Sequence, residues 1–117
     1  MPTNVSERTQ GEITLLKISG DLDQLYEGEM TKRIDDLVTR GVKQLVIDLS
    51  DLNLIDSAGI GGLVLLSKRI RAQNGEGKLS GVRGQPGELF KHLRLDRAFD
   101  VHGDVDSAMK AYDVSQS

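Results

Sequence analysis

The stretch QLVIDLSDLNLIDSAGIGGL, Gln44 to Leu63, decides the fold. It opens with a nearly continuous apolar run, Gln44 to Leu49, broken only by Asp48 near its end. Runs of that kind suit a strand buried on both faces. The apolar pair Leu54-Ile55 then ends in Asp56-Ser57, and Gly59, Gly61 and Gly62 follow at once. Ile60, Leu63, Val64, Leu66 and Ile70 recur at helical spacing and predict a helix from about Ala58 to Ala72. Lys68, Arg69 and Arg71 fall in its last turn, where cations complement the helix dipole, and Asn74-Gly75 ends it. A buried strand feeding an amphipathic helix is the repeating unit of a parallel sheet.

The same alternation extends both ways. Upstream, Ile13 to Gly20 reads as a strand stopped by Gly20-Asp21, with Asn4 to Arg8 as an antiparallel partner across a turn at Thr9 to Glu12. Gln24 to Arg40 reads as a helix carrying Tyr26, Met30, Ile34, Leu37 and Val38 on one face. Asp23 is its expected cap and Gly41 its stop, while Gly28 weakens it. Downstream, Lys78 to Val82 is an expected short strand. Pro86 to Leu93 is an expected helix with Leu89, Phe90 and Leu93 inward. Ala98 to Val101 is an expected last strand. Asp104 to Tyr112 is an expected helix, capped by Asp104, with Val105, Ala108, Met109 and Tyr112 as its apolar stripe. One α/β domain over 1–117 follows, with a core over about 4–112 and a mobile tail at 113–117. Its sheet is expected to be mixed and largely parallel, with four to five strands packed by about four helices.

Composition narrows the function. Hydrophobic residues make up 38% and charged residues 28%, which suits a soluble globular chain. Aromatics are only 3%, so the core must be aliphatic and no base-stacking platform is available. The net charge of −3 lacks the basic excess of a nucleic-acid binder. No cysteine is present, so neither a disulfide frame nor a thiolate metal site is expected, which fits a reducing cytoplasm. MPTNVSERTQ has no apolar centre, so no secretory signal is expected, and no apolar run is long enough to span a bilayer.

Parallel strands at Ile13–Ser19 and Gln44–Leu49 bring the loops Gly20–Asp23 and Asp51–Ser57 to one edge, the edge where such sheets bind ligands and partners. That edge carries Asp21, Asp23, Asp51 and Asp56. The glycines leave a bare first turn, open to a partner's backbone or a phosphate, or simply packed tightly on the sheet. A phosphate cradle is not supported, because Gly59-x-Gly61 lacks the third glycine and no Lys-Ser/Thr follows. A nucleophile elbow is not supported, because Ile55 stands where a glycine belongs. His92 and His102 are isolated and read as surface residues. With no general base, metal cluster or phosphate loop visible, a small nucleotide-handling enzyme is disfavoured. Two readings of Ser57 stand: a hydroxyl that caps the helix, with Asp56 sharing that work, and an accessible phosphorylation site whose phosphate gains from the dipole.

Three ordered blocks carry a family resemblance: GDLD at Gly20–Asp23, VIDLSDLNLIDSAGIGGL at Val46–Leu63, and LRLDRAFDVHGDVDSAMKAY at Leu93–Tyr112. Over about residues 12 to 112 the chain resembles a STAS domain, and more narrowly a bacterial anti-sigma factor antagonist. The resemblance implies a cytoplasmic protein switch rather than an enzyme, with no cofactor and no metal. The serine matching Ser57 would be phosphorylated by an ATP-dependent anti-sigma serine kinase and reset by a PP2C-type phosphatase. The unphosphorylated form would bind that kinase and free a sigma factor. Asp21, Asp23, Asp56, Ser57, Ala58, Gly59, Ile60 and Gly61 would then form the partner surface, although Asp21 and Asp23 read equally as turn and cap residues; Leu22 and Leu65 are expected to be exposed, as partner contacts or as ordinary surface. A monomer when free is expected, with no direct nucleic-acid contact and no membrane span. STAS domains also serve in lipid-transport and stress-signalling assemblies. KLSGVRGQPGE, Lys78 to Glu88, departs from the family pattern, being rich in glycine and poor in bulky apolar residues.

Overall fold

The computed structural model describes residues 1–116, with side chains as far as Tyr112. The tail expected to be mobile, 113–117, lies outside the fully described residues. The strands are β1 (Asn4–Gln10), β2 (Ile13–Leu22), β3 (Gln44–Asp48), β4 (Leu52–Ile55), β5 (Glu76–Ser80) and β6 (Asp100–His102). The helices are α1 (Glu27–Thr39), α2 (Ser57–Ala72), α3 (Gly84–His92) and α4 (Val105–Gln116). Short 3-10 turns, Gln24–Tyr26 and Leu95–Arg97, precede α1 and β6.

The strand order is β1-β2-β3-β5-β6, with β4 also on β2. Only β1 is antiparallel to its neighbour. Gln10 pairs with Ile13 across a two-residue hairpin loop in which Gly11 takes φ 62°, so the turn is shorter than expected and β1 longer. Because β2 outruns β3, its end is left free to pair with a second strand. Gly20 and Leu22 take Leu52 and Ile55 as partners, while Lys17 still faces Asp48 of β3.

Side chains alternate across this sheet. Leu16, Ile18, Leu45, Ile47 and Leu79 form one core with residues of α1, α2 and α3. Ile13, Leu15 and Val46 project the other way, onto Ala108 and Tyr112 of α4. Three helices therefore cover one face and one covers the other. Both cores are almost wholly aliphatic, as the composition required. Phe90 and Phe99 are the aromatic pair, 6.0 Å apart, in the larger one.

The expected architecture holds, with six strands rather than four to five. β4 is the added strand: four residues with two exposed, too short and too polar in its surroundings to announce itself. The strand expected at Lys78–Val82 runs over Glu76–Ser80, because pairing with Gln44–Asp48 sets its register and Gly81, at φ 74°, turns the chain away. The strand expected at Ala98–Val101 is Asp100–His102, since a 3-10 turn occupies the preceding residues and Phe99 is drawn into the core. The helix expected at Pro86–Leu93 is Gly84–His92; Leu93 lies past its end and is 55% exposed, not inward. The long helix expected at Gln24–Arg40 is split, with Asp23 capping the 3-10 turn and α1 starting at Glu27. Lys68 stands one turn ahead of the α2 terminus, leaving Arg69 and Arg71 there.

Candidate functional site

The parallel pairing of Leu22 with Ile55 sets the site, because it brings the residues after β2 and after β4 side by side. Asp56 leaves β4 still extended, at φ −111° and ψ −176°, which is the conformation an N-cap needs. Its Oδ1 accepts from the Gly59 N–H at 2.8 Å. Its Oδ2 accepts from the Gln24 N–H at 3.1 Å. One carboxylate thus fastens the start of α2 to the 3-10 turn ahead of α1. Of the two readings of Ser57, the structure does not support the one in which its hydroxyl caps α2. Asp56 takes the cap, and Ser57 is the first helical residue, exposed, with no hydrogen-bond partner for its hydroxyl among the described residues.

The neighbouring carboxylates are less free than a count of acids suggests. Asp23 Oδ1 accepts from the Leu25 N–H at 3.1 Å. Asp21 lies 2.7 Å from the Met1 amino group and 3.4 Å from Asn53 Nδ2, and these partners, the amino group foremost, hold its carboxyl below the usual range. Asp51 lies 2.8 Å from Lys17 Nζ, which lowers its pKa through a hydrogen bond and through charge. Two of the four expected acids therefore carry their own counter-charge. Asp56 and Asp23 are occupied by backbone N–H groups instead.

The three glycines do different things. Gly59 is buried, and a Cβ there would stand 2.3 Å from the Leu22 carbonyl oxygen and 2.8 Å from Ile55 Cγ1. At Gly62 a Cβ would meet Met30 Cγ at 3.1 Å. These two let α2 close onto the end of β2 and onto α1. Only Gly61 has open space around it, so it alone bares the surface. Ala58 and Ile60 are half-buried beside it.

A cavity of about 290 Å³ lies between the start of α1 and the first turns of α2, lined among others by Leu22, Asp23, Tyr26, Met30 and Leu65. Leu22 forms its floor at 1% exposure and is not the surface residue expected. Leu65 is exposed as expected, and Leu25 on the 3-10 turn is 93% exposed. His92 is exposed. His102 is not a plain surface residue: its Nε2 lies 3.1 Å from Asp100 Oδ1, in a charged group with Lys78 on the α4 face. Among the described residues no group of three or more His, Cys, Asp or Glu could hold a metal ion, and no helix is long and apolar enough to cross a membrane.

One residue of the site has no signal in the sequence. Gln85, in α3, accepts from the Ile55 N–H through Oε1 at 2.9 Å and donates from Nε2 to the Ile55 carbonyl at 3.1 Å. Thirty residues separate the partners, so no local pattern exposes the contact. Its only trace is the glycine-rich departure in which Gln85 sits.

A model of the STAS domain family matches residues 4–108 of this chain. The chain belongs to the STAS domain family. This STAS domain is 25% identical, over 87% of its length and 94% of the relative's, to the anti-sigma-B factor antagonist of Staphylococcus aureus (strain NCTC 8325 / PS 47). Its fold matches an anti-sigma factor antagonist from Mycobacterium paratuberculosis with a TM-score of 0.84 at 19% identity, covering 94% of this chain and 93% of that one. It also matches the anti-sigma factor antagonist SpoIIAA in its unphosphorylated form, with a TM-score of 0.72 at 15% identity and 99% of both chains covered. SpoIIAA has been solved in a phosphorylated form as well. At these identities the two solved proteins share the fold with this STAS domain, while the S. aureus protein is an antagonist related along almost its whole length.

Proposed function

We propose that this STAS domain is an anti-sigma factor antagonist whose switch is Ser57. In the unphosphorylated state it binds an anti-sigma serine kinase and frees a sigma factor. Phosphorylation at Ser57 ends the binding, and a PP2C-type phosphatase restores it. The protein acts through a partner, in the cytoplasm, and touches neither nucleic acid nor membrane itself.

The observation that carries this reading is the exposed, unbonded hydroxyl of Ser57 beside a cap supplied entirely by Asp56. A serine relieved of capping is available to a kinase. Its position at the helix start gives a phosphate the positive end of the dipole. The partner surface comprises Asp23, Asp56, Ser57, Ala58, Ile60 and Gly61, with Asp21 at its margin and Gly59 beneath it as packing. Phosphorylation adds about −1.5 to −2 charges next to Asp56 and Asp23. Repulsion and desolvation of the phosphate then weaken docking, and a coupling of roughly 1–3 kcal/mol, about 5- to 150-fold in affinity, is usual for such switches.

The test is capture from the host's soluble extract, depleted of ATP, on immobilised wild type, Ser57→Ala and Ser57→Asp. An ATP-binding serine kinase retained by wild type and Ser57→Ala but lost on Ser57→Asp supports the switch. Phosphate mapped to Ser57 after ATP is restored completes it. Transporter or sensor subunits retained equally on all three would overturn it.

A further inference from the structure

Gln85 fastens the backbone one residue before the α2 cap. Its side-chain amide makes the pair of hydrogen bonds that a neighbouring strand would make, one to the N–H and one to the carbonyl of Ile55. Ile55 is the last residue of β4, and the Asp56 N–H bonds to the Leu22 carbonyl at 3.3 Å on the other side. The approach to Ser57 is therefore gripped from both flanks: by β2 through Leu22, and by α3 through Gln85. Beyond it, the Asp56 carboxylate grips Gln24 and Gly59.

We infer that Gln85 is a positioning residue for the Ser57 switch, and that the segment Gly81–Gly87 controls how that serine is presented. The inference rests on the reading of Ser57 as the phosphoacceptor. The geometry gives three reasons. The contact is two-pronged, so it holds both peptide groups that flank the Ile55 Cα in orientation as well as in place. It joins two segments 30 residues apart with no strand pairing between them. The gripping residue sits in the first turn of α3, reached through Gly81 and Gly84, both at positive φ, 74° and 64°. The α3 helix has no side-chain cap from Arg83, whose Nε instead donates to the Ser50 carbonyl at 3.0 Å. A shift in that turn moves the amide, and the amide moves Ile55, Asp56 and Ser57 together.

The experiment uses the full chain as wild type, Gln85→Ala and Gln85→Glu, with the kinase recovered by the capture described above and ATP. Initial rates of phosphate transfer to Ser57 give kcat/KM, and amide hydrogen exchange on the free proteins reports Ile55 to Gly59. Gln85→Ala is expected to lower kcat/KM of the folded protein about tenfold and speed exchange at Ile55, with a lowered unfolding midpoint because the Ile55 N–H and carbonyl lose their partners. Gln85→Glu keeps the acceptor but sets a carboxylate oxygen against the Ile55 carbonyl, and should be at least as slow as Gln85→Ala. Wild-type rates and exchange in Gln85→Ala would overturn the inference alone. So would a lowered midpoint with unchanged kcat/KM for the folded protein, which marks Gln85 as mere packing. No transfer to Ser57 in the wild type overturns the switch itself, and the inference with it.

Discussion

At the scale of single residues, the cap and the serine separate cleanly. Asp56→Ala removes the acceptor of two N–H groups and should cost about 1–2 kcal/mol in urea unfolding. Ser57→Ala, which removes no bond, should stay within about 0.5 kcal/mol of wild type. A Ser57→Ala protein as destabilised as Asp56→Ala would restore the capping role to the serine. The glycines separate by sign. Gly59→Ala forces a methyl against the Leu22 carbonyl and should destabilise by about 1–3 kcal/mol. Gly61→Ala meets nothing and should stabilise by about 0.5–1 kcal/mol, since alanine is the better helix former. Thermal melts of both variants decide it. The sequence marked the Asp56–Gly62 segment but not the division of labour inside it. Asp and Ser are both good caps, and which one serves depends on how far the chain stays extended. That is set by the pairing of Ile55 with Leu22, a contact 33 residues long-range in origin and invisible to local reading.

At the scale of elements, α4 shows how a single helix is held to the second face. Tyr112 is buried, and its hydroxyl accepts from the Leu45 N–H at 3.1 Å while its single proton is shared between the Leu45 carbonyl, at 2.7 Å, and that of Glu76. Lys78, 3% exposed, lies 4.7 Å from the Tyr112 ring centre and donates to Glu76 at 3.0 Å and to Asp100. Burial raises the phenol pKa well above its ordinary 10.0. For Lys78, burial pulls down, but the bonds and charges of Asp100 and Glu76 prevail and raise it above 10.5. Both groups are raised on folding, so their stabilisation is whole below 10.0 and 10.5 and is lost as pH climbs through the folded values. The protein should therefore weaken in alkali above about pH 10, where pH-dependent urea unfolding shows it. Tyr112→Phe strands the Leu45 groups and should cost about 1–3 kcal/mol at neutral pH. The apolar stripe of α4 and its Asp104 cap were readable, as local features are: Asp104 Oδ1 accepts from the Ser107 N–H at 2.8 Å. The buried lysine was not, because nothing near Lys78 in sequence tells that a helix 30 residues on will cover it.

At the scale of the whole molecule, phosphorylation should act by charge and leave the fold alone. The chain carries −3, and a phosphate takes it to about −4.5 to −5. Because Ser57 holds nothing together, far-UV circular dichroism should be unchanged on phosphorylation; loss of helix would contradict this. If repulsion dominates, partner affinity of the phosphorylated form should recover in part as salt rises from about 0.01 M to 1 M, where the screening length falls from about 30 Å to 3 Å. Titrations at the two extremes measure it. The global plan was legible because, β4 apart, strands and helices alternate from Ile13 onward. It was the lateral contacts, β4 on β2 and Gln85 on Ile55, that needed the assembled fold.

The lopsided cover of the sheet also sets an order of events during synthesis. Every strand precedes α4 in the chain, and three helices are ready to shield the first face as their strands emerge. Ile13, Leu15 and Val46 have no such cover until Ala108 and Tyr112 leave the ribosome. The nascent sheet is thus dry on one side and wet on the other, and its last helix acts as the latch that ends the exposure of a sticky surface to chaperones and to neighbouring nascent chains.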